Sequence, residues 1–224
     1  MISLCLPTRG RPESVKRFVE NAVDNASGDD FEIVFWVDDD DQESWDTLGA
    51  LDAPISGRRG PRTTLSDCWN KAASQASGDI LGMMADDIVI RTPCWNLMVE
   101  AEFAKYPDRI VFVHGDDGLQ HAALGTHGFL HRRWVEAVGR FLPPYFSADY
   151  CDTWLNDVAV ALGRRVYLPE LFTEHMHPSA GKAEWDQSHM ERMERLKRDC
   201  VEQVYIDTAP ERASEVAILR ELIQ

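Results

Sequence analysis

The sequence lacks a basic excess. Its 38 acidic residues outweigh 23 lysines and arginines, for a formal net charge of −15 over 224 residues. A chain that grips a polyphosphate backbone unaided is usually basic, so nucleic acid is disfavoured as the main partner. No apolar run is long enough to cross a bilayer, which argues against a membrane span. The opening "MISLCLPTRG" lacks the basic start and apolar length of a secretory leader and reads as a strand running into a loop. The five cysteines (Cys5, Cys68, Cys94, Cys151 and Cys200) are odd in number, widely spaced and without a C-x-x-C pair. That pattern excludes the usual disulfide framework or zinc knot and predicts reduced thiols in a cytoplasmic protein. The chain also lacks a G-x-x-x-x-G-K-[ST] loop and a G-x-G-x-x-G turn after its first strand, so ATPase and dinucleotide readings lose their usual support.

What is present is a hydrophobic fraction of 44%, ordinary for a globular chain, and enough length to bury a core. The first 115 residues alternate strand and helix. "ISLCL" and "EIVFWV" are continuous apolar runs, the pattern of strands buried on both faces. "RPESVKRFVENAVDNASG" places Pro12 at a helix start and Val15, Phe18, Val19, Ala22, Val23 and Ala26 at helical spacing. "TLSDCWNKAASQASG" predicts a helix, "DILGMMA" a strand, "CWNLMVEAEFAKY" a helix and "RIVFVHG" a strand. This alternation predicts an α/β fold with a mostly parallel sheet flanked by helices, whose ligands gather at the carboxyl ends of the strands. Further on, "HGFLHRRWVEAVG" predicts a short strand and helix, "ADYCDTWLNDVAVALG" an amphipathic helix and "RRVYLPELFTEH" a strand. From Lys182 to Gln224 the pattern is helical, with Trp185, Met193, Leu196, Cys200 and Val204 on one stripe. "DAPISGRRGPRTT" reads as a loop. The expected organisation is one catalytic unit over residues 1–185 and a helical C-terminal extension over 186–224.

Chemistry-bearing residues cluster at the ends of these strands. "VDDDDQE" carries Asp38 to Asp41, "ADD" carries Asp86 and Asp87, and "EHMHP" carries His175 and His177. Residues i and i+2 of an extended segment point to one side, so the two imidazoles can face a carboxylate cluster and hold a divalent cation. A solvated acidic turn and ordinary hydrogen-bonded histidines are the bland alternative for each piece. Their joint placement is what favours a site. Arginines fall at the same edge: Arg9 and Arg11 in "PTRGRP", and Arg58, Arg59 and Arg62 in "GRRGPR", with Lys182 in "SAGKA". Guanidinium forks match phosphate geometry, so an anionic diphosphate held with a metal fits the mixture. Surface pairing with neighbouring aspartates is the competing account.

The pieces "SLCLPTRGRPESVKRFVENA", "FWVDDDDQ", "LSDCWNKAASQASGDILGMMADD" and "EHMHP" resemble, in order, family 2-like glycosyltransferases of the GT-A fold. "ADDIVIRTPCWN" and "EHMHPSAGKAEWD" are similar to phage and bacterial members. The likeness covers residues 1 to about 187. It implies a hexosyl- or pentosyltransferase using a nucleotide-sugar donor, UDP-linked as first expectation, with Mn²⁺ or Mg²⁺. It matches Asp86 and Asp87 to the end of the metal-binding acidic motif, with Met84 where the family usually has a further Asp. It matches His175 or His177 to a later metal ligand, and Thr8, Arg9 and Asp38 or Asp39 to the nucleoside site, which the residue pattern extends to Arg11. Arg62 and Lys182 are further candidates for the donor's phosphates. In "SADYCDTWL" it implies Asp152 as the catalytic base, with Asp149 second. The acceptor stays open among a glycan, a small molecule and, in a phage setting, a modified DNA base. Two other readings are a nucleotidyltransferase on a similar sheet, which the single glycine of "PTRGRP" disfavours, and a non-catalytic nucleotide-sugar-binding protein, which Met84 favours.

Overall fold

The computed structural model describes residues 1–223. In chain order the elements are β1 (Ile2–Thr8), α1 (Pro12–Asp24), β2 (Phe31–Asp38), α2 (Gln42–Gly49), β3 (Ile55–Gly60), α3 (Leu65–Ala73), β4 (Ile80–Met83), β5 (Ile88–Ile90) and α4 (Trp95–Ala104). There follow β6 (Phe112–Asp116), β7 (Gly128–His131), α5 (Arg132–Val138), α6 (Cys151–Leu162), β8 (Arg165–His175), α7 (Gln187–Arg198), α8 (Val201–Asp207) and α9 (Ala209–Arg220).

The strands form one mixed sheet in the order β3-β2-β1-β4-β7-β6-β8-β5. Parallel pairing links β1 with β2 and β4, β2 with β3, and β6 with β8, while β7 and β5 run against their neighbours. The carboxyl ends of β1, β2, β3, β4, β6 and β8 therefore meet at one edge, and the reversed β7 brings its amino end there. Alternate residues of each buried strand feed two cores. Leu4, Leu6, Ile33 and Phe35 pack on Phe18, Trp95 and Phe103 from α1 and α4. Cys5, Val34, Leu81 and Phe112 pack on the other face against Trp69, Trp134, Trp154 and Leu219 from α3, α5, α6 and α9. Helices cover both faces, as the continuous apolar runs require.

Local signals explain the boundaries. Pro12 opens α1, where its missing N–H costs nothing. The Thr64 hydroxyl caps α3 by accepting from Asp67 N at 3.3 Å. Residues 52–64, expected to be a loop, contain β3. Its exposures alternate, and Gly57 and Gly60 lie where a Cβ would come within 2.6 Å of Phe35 O and 2.3 Å of the Trp36 ring. The short β5 and α2 were likewise not anticipated. The expected helical stretch from Lys182 holds three helices, the first beginning at Gln187, with breaks at Cys200, whose φ is +46°, and at Thr208. Its last residue, Gln224, lies outside the described residues. Of the expected apolar stripe, Leu196 and Val204 pack against the core, whereas Trp185, Met193 and Cys200 are exposed. The most buried C-terminal residues are His189, Val201, Glu215 and Leu219.

Candidate active site

A cleft of about 640 Å³ opens where the strand ends converge. Thr8, Arg9 and Arg11 reach it from the end of β1, Asp38 from β2, Arg62 from the segment after β3, and Asp86 and Asp87 from the segment after β4. His175 and His177 enter from β8, and Asp149 and Asp152 from the start of α6. Two expected residues are placed elsewhere. Asp39 is exposed in the turn after β2, its N–H donating to Gly60 O at 2.8 Å. Lys182 Nζ pairs with Glu174 at 2.9 Å.

The adjacent acids divide their contacts. Asp86 Oδ2 accepts from Thr8 Oγ1 at 2.7 Å and its Oδ1 from Arg11 Nη1 at 3.0 Å. Both oxygens are thereby committed within the fold. Asp87 turns the other way. Its Oδ2 lies 3.5 Å from His175 Nε2 and 3.7 Å from Arg11 Nη1, and its Oδ1 is buried without a hydrogen-bond partner among the described residues. Burial opposes the Asp87 carboxylate, but His175, His127 and Arg11 outweigh it and hold its pKa well below the usual range.

His127 completes this cluster. It immediately precedes β7, and its ring stands edge-on to that of His175 with centroids 5.0 Å apart. One ligand atom from each of Asp87, His127 and His175 lies within 4.8 Å of the other two. Burial and the charge of His175 push the His127 pKa down to about 3, leaving it neutral and able to donate a lone pair. His175 is opposite in character. Burial disfavours its charge, yet Asp117 and Asp87 outweigh burial and raise its pKa to about 9. Asp117 faces His175 Nδ1 at 3.9 Å and accepts from Thr126 Oγ1 at 2.8 Å, while Thr126 Oγ1 lies 3.2 Å from His127 Nδ1. One carboxylate thus backs both histidines, the usual outer support of a metal-binding imidazole.

A carboxylate oxygen and two imidazoles fit a divalent transition ion better than Mg²⁺, which prefers an all-oxygen shell. Among the described residues, Asp87 Oδ1 is left without a partner and marks a polar pocket that the protein's own groups leave incomplete. His177 stands apart from this trio. Its Nδ1 lies 2.7 Å from Ser179 Oγ, and its ring contacts those of His175, Trp185 and His189.

Across the cleft, Asp149 and Tyr150 lead into α6 with φ of +49° and +59°. Asp149 is held by both Arg192 Nε and Nη2 at 2.5 Å. Asp152 has no such cation. Its Oδ1 accepts only from Thr153, at 2.7 Å from the backbone N–H and 3.4 Å from the hydroxyl. Burial raises its pKa to about 6, and the Asp149 charge adds to that effect.

The C-terminal α7 closes over the mouth. Arg9 Nη1 reaches Glu191 at 3.4 Å, Arg62 also pairs with Glu191, and Arg11 pairs with Asp186 at 2.8 Å and contacts His189. These arginines, expected either to hold a ligand or to pair with neighbouring aspartates, pair with α7, and Arg9 also with Asp40. His127, Asp117 and the α7 side chains lie outside what the sequence pattern predicts. "GTHGF" and "RMERL" carry no local signature, because their role depends on which strand ends and helices meet.

No curated protein matches the chain in sequence. Solved structures match its fold at low identity. One is the mannosyltransferase PcManGT from Pyrobaculum calidifontis in complex with GDP-Man and Mn²⁺, at TM-score 0.64 and 12% identity over 99% of this chain and 73% of that one. S. aureus TarS 1–349 with UDP matches at 0.61 and 12% over 77% and 59%, and with UDP-GlcNAc at 0.60 and 14% over 99% and 71%. In the UDP match, then, the aligned part is under two thirds of the TarS chain. The model of "Glycosyl transferase family 2" matches residues 3–172, most of the sequence and all of the sheet but Ile2 and the end of β8. With the strand order and the cleft in agreement, the chain belongs to glycosyl transferase family 2.

Proposed function

We propose that the protein moves a glycosyl group from a nucleoside-diphosphate sugar to an acceptor hydroxyl by an inverting displacement. The observation that carries this reading is one cleft holding both a carboxylate and two imidazoles that can take a cation once His175 gives up its proton, and a desolvated carboxylate without a cation partner on the opposite wall. Asp87, His127 and His175 would hold the divalent ion, Mn²⁺ rather than Mg²⁺ from the donor set. That ion supplies charge stabilisation to the leaving diphosphate without proton transfer. Thr8, Arg9, Arg11 and Asp38 line the adjoining pocket and orient the nucleoside, with uridine first because a carboxylate can accept from its base N–H. Arg62 stands beside them for the phosphates. Asp86 fixes Thr8 and Arg11 rather than the ion. PcManGT with GDP-Man and Mn²⁺, and TarS with UDP and UDP-GlcNAc, support the donor class and the metal.

Asp152 is the base. It accepts the acceptor's hydroxyl proton as the new bond forms, and a pKa near 6 keeps it ionised yet basic enough at neutral pH. Asp149, neutralised by Arg192, is the weaker candidate and positions α6. The reading covers hexosyl and pentosyl donors alike. The narrower likeness to phage members rests on short motifs alone.

The test is a thermal-shift screen of nucleotide sugars with and without Mn²⁺, followed by donor-hydrolysis and transfer assays. Binding to the folded state raises the melting temperature. Stabilisation by a UDP- or GDP-sugar that requires Mn²⁺, with slow donor hydrolysis, is the expected result. Stabilisation without any turnover, even with acceptors offered, would mean a non-catalytic binding protein. Absence of any nucleotide effect would sink the reading.

A further inference from the structure

A second cleft, of about 600 Å³, lies beside the first and shares Arg62, Thr63, Glu191 and Arg195 with it. Its other walls are Thr64 before α3, Ser147, and Glu194, Arg198 and Asp199 near the end of α7. It is close to the proposed base. Ser66 Oγ donates to Phe146 O at 3.0 Å and touches Cys151 Sγ at 3.1 Å, so the start of α3, the Ser147 segment and the start of α6 form one packed corner.

The charges in this cleft are unequally matched. Glu191 is engaged by Arg9 and Arg62, and Asp199 by Arg198 at 2.7 Å through both oxygens. Glu194 is exposed at the outer rim. Arg195 sits one helical turn beyond Arg192, which has its own partner in Asp149. Arg195 Nε is buried and has no hydrogen-bond partner among the described residues. Burial and the nearby Arg62 charge press its pKa below the ordinary guanidinium value, against the pull of Glu191 and Asp38. A guanidinium cannot shed its proton to relieve this, so it is a half-buried cation whose fork has no planar anion to meet. Leaving such a group unpaired is costly in a protein with 38 acids available to pair it.

We propose that Arg195 anchors an oxyanion subsite in this second cleft, flanked by Arg62 and Arg198, and that it receives a phosphate-class group carried by the acceptor. This deepens the transferase reading and rests on it only for the acceptor. An acceptor hydroxyl at Asp152 then belongs to a molecule whose anionic substituent extends past Ser147 to Arg195. The bidentate fork favours a tetrahedral oxyanion with two oxygens in one plane over a lone halide.

The experiment uses the whole chain and inorganic phosphate as the probe. Phosphate is titrated by calorimetry into protein without nucleotide and into protein saturated with UDP and Mn²⁺. Wild type should bind phosphate in both states. Arg195→Gln should weaken that binding by about tenfold or more, the value of one charge-assisted pair, and Arg195→Lys should fall between. Unchanged phosphate affinity in Arg195→Gln, or phosphate binding abolished by UDP, would overturn the subsite. UDP affinity of the variant, expected within about twofold of wild type, checks that the fold persists. The second arm compares glycerol with glycerol phosphate as acceptors. A preference for the phosphorylated partner that Arg195→Gln removes assigns the group to the acceptor. No preference, with phosphate still bound at Arg195, would overturn the acceptor assignment and leave a site for free phosphate. Failure of UDP to bind, with phosphate binding at Arg195 intact, would strike the donor reading instead.

Discussion

Thr8 and Asp86, 78 positions apart, are joined by a 2.7 Å hydrogen bond at the meeting point of β1 and β4. That bond turns Asp86 toward Thr8 and Arg11, whereas Asp87 faces the histidines. In the proposed reading the two adjacent carboxylates serve different ligands. Asp87→Asn should weaken Mn²⁺ binding by at least about tenfold, whereas Asp86→Asn should leave it within about threefold and chiefly weaken UDP binding. Mn²⁺ titration followed by electron paramagnetic resonance separates them. Equal loss in both variants would show that the pair binds the ion jointly.

His127 and His177 provide the matching contrast. His127→Ala removes one member of the trio and should lower Mn²⁺ affinity by about 10–100-fold. His177→Ala leaves the trio whole and should change it little. If His177→Ala has the larger effect, the ion sits nearer α7 than the geometry of the trio places it.

Asp152→Asn should cut transfer by roughly 10²–10⁴ while donor binding survives. In the wild type, kcat/KM should fall as pH drops through about 6, because the base becomes protonated. Stability moves the other way. An acid whose folded pKa is raised above the ordinary ~3.9 favours the fold when protonated, so its penalty is absent below that value and grows as pH rises through about 6. The Asn variant should therefore melt above wild type at pH 8 and level with it at pH 4, by at most about 1–3 kcal/mol. A lower melting temperature at pH 8 with normal turnover would make Asp152 structural.

Glu191 holds Arg9 and Arg62, residues proposed to meet the donor. These are partly exposed pairs, worth about 0.2–1 kcal/mol each. Glu191→Gln should release the arginines and tighten UDP binding by about two- to fivefold at low salt, with less gain at high salt. Weaker UDP binding in this variant would mean that α7 must be docked before the donor can bind.

Glu215 on α9 joins the C-terminal helices to the core. Its carboxylate accepts from Trp154 Nε1 at 2.5 Å and pairs with Arg140 at 2.6 Å, and it is 6% exposed. Glu215→Ala leaves both partners unmatched. It should cost about 2–3 kcal/mol, under the 3–5 of a fully buried pair because Arg140 keeps some solvent. The urea midpoint reads this directly, and a change under about 0.5 kcal/mol would show that α9 docks through Leu219 alone.

Much of this protein was legible along the chain. β1, β2 and β4 are apolar on both faces, so their runs name them without reference to any partner. α1 and α6 announce themselves by period and by Pro12 or Gly163. The acid pair was readable because two carboxylates after a buried strand have no local use. β3 was not readable, since an edge strand of "ISGRRG" is held by backbone pairing to β2, and its glycines make sense only against Phe35 and Trp36. The third member of the trio was hidden for a related reason. His127 reaches the active edge because β7 runs antiparallel between β4 and β6, which puts its amino end beside their carboxyl ends. Strand direction is a property of the assembled sheet, and α7's choice of Arg9, Arg11 and Arg62 as partners is set by docking across more than 120 residues of sequence. Period and composition report what each segment must bury. Which charged groups then face one another is decided only when the buried faces have closed.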